Sequence, residues 1–257
     1  MRPLWILGAP SAEMDAVETL LVAHDAMVAH AAGHDRMRVS HGDRSRAQWV
    51  LLPGSAPVPF PAVCGAGDRI HLVDCAFLGV RPLGGATVHS VGHHLPWSAG
   101  YGLPAEQYWE ASALGQVARL FGIDPTPPLR VIAAAAHSLQ DAYHGRCPGV
   151  DPDVVLAHRL SVLASAWGVP LAHAFADVTL ARDLLALAPP TLCDGMAFAD
   201  LRSVTLSADT LRALPEASQR DGIPYLLASP YAADVVRPPR APAPALGAVL
   251  ALQVRAS

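Results

Sequence analysis

Lysine and asparagine are missing from this sequence of 257 residues, so all 18 of its basic side chains other than histidine are arginine. The absence of lysine excludes Schiff-base chemistry and the lysine of a phosphate-binding P-loop. The absence of asparagine needs no more than a biased genome. The four cysteines, Cys64, Cys75, Cys147 and Cys193, form no C-x-x-C pair. They are too sparse for a disulfide framework in a chain of this size, so they are read as buried free thiols. Charged residues make up only 16% and the net charge is −4, which leaves no basic footprint and excludes extended recognition of duplex nucleic acid. No apolar run approaches the roughly 20 residues of a membrane-spanning helix. The segment from Met1 to Gly8 has one basic residue and too short an apolar stretch for a secretion signal. The expectation is a soluble, cytoplasmic protein with no membrane partner, and no internal repeat is found.

What is present is apolar mass. Apolar residues reach 52%, much of it alanine, which suits a compact helical interior. The length allows one large domain, or one domain with a small appendage. Leu4 to Leu7 is an apolar run stopped by Gly8, and Met14, Val17, Leu20 and Leu21 follow at helical spacing, which reads as strand, loop, helix. Ala26 to Ala31 and Trp49 to Leu52 are further strands, the second stopped by Pro53-Gly54. Arg69 to Val73 runs into Asp74, and Ala86 to Val91 runs into Gly92-His93-His94, both as strands. These strands alternate with connections long enough to cross over, so the fold class is α/β with a largely parallel sheet flanked by helices. From Pro104 the character is helical. One helix follows Pro127-Pro128, a second opens at Asp151-Pro152 and stops at Gly168, and a third follows Asp177. Pro189-Pro190 marks a boundary between a domain over 1–188 and a small C-terminal α/β segment over 189–257. That segment is read as a strand from Met196 to Val204, a helix opened by Ser207 and a strand from Tyr225 to Ala228.

Ligands of open parallel sheets bind beyond the carboxyl ends of the strands. Here those ends carry metal-type side chains: Glu13 and Asp15 after the first strand, Asp74 after a later one, and His93 with His94 after the next. Carboxylates converging in one crevice repel strongly enough to displace a pKa, and a divalent cation removes the conflict. Carboxylate and imidazole together suit manganese, iron or zinc better than calcium. Plainer roles exist for each residue. Asp74 also suits a turn, Glu13 and Asp15 also suit the positive end of a helix, and His137, beside Ala133 to Ala136, also suits a hydrogen-bonded core position. Tyr101, Tyr108 and Trp109 pack or stack on a base. Gly65-Ala66-Gly67 precedes a strand and so fails the dinucleotide context, and Ser90 has no glycine two residues before it, which excludes a nucleophile elbow.

Over residues 4–145 this pattern resembles the DHH phosphoesterases. Their first strand is followed by His-x-x-x-Asp-x-Asp, a later strand ends in Asp, the next ends in Asp-His-His, and a further Asp comes later. The chain offers Ala9-x-x-x-Glu13-x-Asp15, then Asp74, then Gly92-His93-His94, with His137 and Asp141 nearest the last position. Ala9 and Gly92 depart from the pattern, since neither can ligate. The resemblance implies a metal centre of Glu13, Asp15, Asp74, His93 and His137, loaded with manganese, with Asp74 and His94 as catalytic residues. It implies hydrolysis of a small nucleotide, oligonucleotide or phosphoanhydride by a water that the metal acidifies. An arginine, from among Arg36, Arg44, Arg119 and Arg146, would add positive charge, and the C-terminal segment would cover the crevice. The departures leave two alternatives: a degenerate relative that binds a nucleotide or partner without turnover, and a biosynthetic enzyme using the same crevice for other chemistry. The sequence leaves a homodimer open.

Overall fold

The computed structural model describes residues 2–43, 46–65, 67–77, 85–227 and 234–236. The chain forms two compact units: Met1–Ser138 with Gly145–Val155, and Leu139–His144 with Leu156–Ser257.

The first unit opens with β1 (Leu4–Leu7), α1 (Ala12–Ala23), β2 (Met27–Ala32), β3 (Trp49–Leu51), β4 (Val58–Pro59), β5 (Arg69–Val73) and β6 (Thr87–Val91). α2 (Tyr108–Ala111), α3 (Ala113–Leu120) and α4 (Pro127–Tyr143) follow, and α4 breaks at Ser138, where φ is −148° and ψ 61°, its residues from Leu139 onward belonging to the second unit. The six strands lie in the order β4-β3-β2-β1-β5-β6. β2, β1, β5 and β6 run parallel, as expected, whereas β3 pairs antiparallel with β2, and β4 with β3. The exception has a local cause: the link from β2 folds straight back, with Val39 and Gln48 donating to the carbonyls of Ala31 and Ala32, so no crossover forms.

Alternation along the strands sorts the side chains. Leu4, Ile6, Ala29, Ala31, Val50, Ile70 and Leu72 share a core with Phe60 and Phe77 on one face. On the other face Trp5 stacks on His71, with ring centroids 4.0 Å apart. α1 starts where Ser11 Oγ accepts the Met14 N–H at 3.1 Å, an N-cap that ends the β1 loop. Because β1, β5 and β6 are parallel neighbours, the residues that follow them emerge along one edge, and there Gly8, Asp74 and Gly92 meet.

The second unit holds α5 (Pro152–Trp167) from Leu156 onward, α6 (Leu171–Leu187), β7 (Pro190–Cys193), β8 (Met196–Asp200), α7 (Ala208–Asp221), β9 (Tyr225–Leu227) and β10 (Asp234–Val236). Its sheet order is β10-β9-β8-β7. Leu156 and Leu160 of α5 and Val178, Ala181 and Leu185 of α6 share one core with Ala199, Leu214 and Tyr225. The boundary expected at Pro189-Pro190 therefore falls inside this unit, since the two helices before it bury their apolar stripes against the strands after it. β7 was not foreseen, and β8 ends at Asp200, short of Val204. Ala228 lies outside the described residues. Ser207 caps α7 as expected, accepting the Thr210 N–H at 3.1 Å. Among the described residues no single helix is long and apolar enough to cross a membrane.

Candidate metal centre

The site is built from two strand ends. β5 stops at Asp74, whose φ of 47° is left-handed, a conformation that costs a non-glycine residue energy and persists only where its surroundings enforce it. Its N–H donates to the Val91 carbonyl at 2.9 Å, which ties the turn to the end of β6. The carboxylate reaches across that end, and its Oδ1 accepts the His93 N–H at 3.2 Å. Space for this exists because residue 92 is glycine. A Cβ there would lie 1.9 Å from Asp74 Oδ1, and the φ of 129° also favours glycine. Gly8 has a matching constraint at the end of β1, where a Cβ would lie 2.5 Å from the Asp74 carbonyl oxygen. The departure at Gly92 is thus structural: the Asp74 carboxylate fills the volume that a side chain at 92 would take.

His93 and His94 leave this turn with ring centroids 3.9 Å apart, and His94 Nε2 is 3.9 Å from Asp74 Oδ2. One ligand atom from each of Asp74, His93 and His94 lies within 4.8 Å of the others, so the three can hold a cation. Asp74 and His93 are buried, at 5% and 7% exposure, while the His94 side chain is 32% exposed, so the cluster is closed inward and open outward. His93 Nε2 lies 3.2 Å from the Ala136 carbonyl of α4. A carbonyl only accepts, so in the neutral ring that contact puts the proton on Nε2 and leaves the lone pair on Nδ1, the arrangement by which an outer carbonyl orients a ligating imidazole. Two imidazoles and one carboxylate satisfy half or more of a transition metal's coordination and leave positions for water or substrate.

Of the expected ligands, Asp74 and His93 come together, joined by His94, which was expected to be catalytic, and Glu13, Asp15 and His137 stand outside that group. Glu13 is buried, but its Oε1 accepts the Leu114 N–H at 3.1 Å in the first turn of α3, where a helix favours negative charge. Asp15 is exposed on the first turn of α1. His137 is buried beside the group, 5.2 Å from His93 between centroids and edge-on, with Nε2 2.9 Å from the Leu103 carbonyl. Ala9 is buried in the core, and Asp141 belongs to the second unit.

Arg36 lies over the Trp49 ring at 4.5 Å, Arg119 and Arg146 are exposed, and Arg44 lies outside the described residues. Sequence reasoning missed Arg38, whose Nε donates to the Gly8 carbonyl at 3.2 Å; burial lowers its pKa, while Glu18 and Asp15 oppose that. It also missed Gln116 of α3, which hydrogen-bonds both backbone groups of Gly92. Neither residue belongs to a motif, so only long-range geometry identifies them. Cys75, next to Asp74, is turned away, its Sγ 3.4 Å from the Ile6 carbonyl, and burial, with Asp74 beside it, pushes the thiol far above its ordinary range. Comparison with known proteins gives no match to any family model, curated protein or solved structure.

Proposed function

We propose that this chain is a hydrolase that uses a single divalent cation to cleave a small phosphoester or phosphoanhydride. The observation that supports it is the convergence of Asp74, His93 and His94 from two neighbouring strand ends. Manganese is the proposed metal, with iron and zinc also compatible with the donor set. Such a cation lowers the pKa of a bound water and so supplies a nucleophile near neutral pH.

The chain's own residues set the rest. Asp74 and His93 form the buried half of the grip, and the turned backbone at Asp74 fixes its carboxylate before anything binds. His94 is the exposed member, so it stands on the side from which a phosphoryl oxygen would approach; there it either completes the cation's ligand set or, left off the metal, contacts that oxygen or protonates the leaving group. With Ala9 in the core and the space at Gly92 filled, one carboxylate serves the centre, which favours one cation over two. The ordered resemblance to the DHH phosphoesterases supports the phosphate chemistry, and the net charge of −4 favours a small substrate over a long nucleic acid.

The same two positions favour a second reading, a relative that binds a nucleotide or partner without turnover. Manganese-stimulated hydrolysis of a chromogenic phosphodiester, abolished in Asp74→Ala and His93→Ala, supports the hydrolase. Metal uptake with no hydrolysis across a panel of phosphate substrates leaves the binding protein or an enzyme of other chemistry.

A further inference from the structure

The centre depends on a residue with little intrinsic stiffness. Glycine without a Cβ has wide conformational freedom, yet Gly92 must hold one conformation for the two imidazoles after it to stand beside Asp74. A single side chain supplies that restraint. Gln116 Oε1 accepts the Gly92 N–H at 3.0 Å, and Gln116 Nε2 donates to the Gly92 carbonyl, also at 3.0 Å. The second Nε2 proton is directed at the Ala111 carbonyl, 2.8 Å away, and the Gly100 N–H adds a bond to the Gly92 carbonyl at 3.0 Å. A primary amide carries an acceptor and two donors in one plane, so it matches this site as a carboxylate or an alkyl group cannot.

The helix that presents the amide is itself fixed. Ser112 Oγ accepts the Gly115 N–H at 3.0 Å, Glu13 accepts the Leu114 N–H, and a Cβ on Gly115 would lie 1.7 Å from the Trp109 carbonyl oxygen. α3 therefore has little room to follow Gly92 if the turn drifts.

We infer that Gln116 is a positioning residue of the metal centre: its amide locks the Gly92 backbone so that His93 and His94 stand in coordinating geometry beside Asp74 before the cation arrives. This rests on the metal reading above. Gln116 has no place among the ligands, so its loss weakens binding by loosening the frame and not by removing a donor.

The test uses the full chain titrated with Co(II), read by calorimetry and by the visible ligand-field band, with stability of the metal-free protein measured by urea. Gln116→Leu keeps the bulk and removes the amide; Gln116→Glu keeps an acceptor and loses both donors. Val50→Ala opens a cavity at β3, away from β5, β6 and α3, and so lowers stability without touching Gly92 or Gln116. Both Gln116 variants are expected to bind Co(II) about 10–100-fold more weakly, with a shifted band, the range seen when partners outside the ligand set are removed. Val50→Ala is expected to lower stability while keeping affinity within about two-fold and the band unchanged. If Gln116→Leu does not fold, Gln116→Glu carries the comparison. Wild-type affinity and band in the Gln116 variants would overturn the inference, as would an equal loss of affinity in Val50→Ala. Failure of the unsubstituted chain to take up Co(II) would refute the metal reading itself, and this inference with it.

Discussion

Gly92→Ala adds one methyl group, and its consequences can be worked out from distances. The new Cβ would sit 1.9 Å from Asp74 Oδ1 and 2.7 Å from its Cγ, where ordinary contact begins at 3.4 Å. The carboxylate must retreat, losing the 3.2 Å bond from the His93 N–H and its place beside His94. Holding alanine at the φ of Gly92 costs about 1–3 kcal/mol. Forcing the carboxylate from a packed position adds a similar amount, so the expected loss of stability is about 2–6 kcal/mol. The assay is urea denaturation of the metal-free protein together with cation uptake by calorimetry. Uptake is expected to fall with stability, and Gly92→Asp, which restores the residue of the DHH pattern, is expected to fare no better because the space belongs to Asp74. Wild-type stability and uptake in Gly92→Ala would refute the reasoning.

Other perturbations test other parts of the molecule. His71 is pushed down to about 4 by burial, with His89 and Arg69 adding to the effect. A folded pKa below the unfolded one means the folded state binds fewer protons, so this stability is complete above the ordinary histidine value near 6.5 and is lost as pH falls toward 4. The ring is partly exposed, so the loss is about 1–2 kcal/mol. His71→Phe keeps a ring against Trp5 and should flatten the dependence of the urea midpoint on pH across that window; an unchanged slope would contradict the assignment. In the second unit Glu216 accepts from Tyr143 and pairs with Arg159 at 2.9 Å. Glu216→Ala leaves a partly buried guanidinium without its carboxylate, at a cost of about 2–4 kcal/mol by thermal denaturation. A loss too small to measure would show the network to be incidental. Cys64, Cys75 and Cys147 are buried and Cys193 is not. A thiol reagent should label one cysteine in the native chain and the other three only on unfolding.

The sequence disclosed what local physics controls. Leu4–Leu7 and Arg69–Val73 have the bounds read for them, because β-branched and apolar runs stopped by Gly8 and Asp74 carry their own limits. α5 begins at Pro152 and stops before Gly168 for the same reason, a capped start and a glycine at its end. The antiparallel return of β3 and the grouping of α5 with the later strands were not legible, since both depend on which surfaces pack together. At the site, the order of acidic and histidine residues identified Asp74, His93 and His94. It overreached for Glu13, whose helix-start position serves equally well to hold another helix, and the sequence cannot show that the other helix is α3. Gln116 was invisible because its partner is backbone 24 residues away.

The most direct measurement is the metal content of the purified full chain after exposure to manganese, iron or zinc and removal of the excess. One tightly held cation per chain is expected, with a rise in thermal stability that follows from binding to the folded state and both lost in Asp74→Ala. A chain that retains no cation and shows no thermal shift, or an Asp74→Ala variant that holds metal as well as the unsubstituted protein, would contradict a centre built on Asp74, His93 and His94.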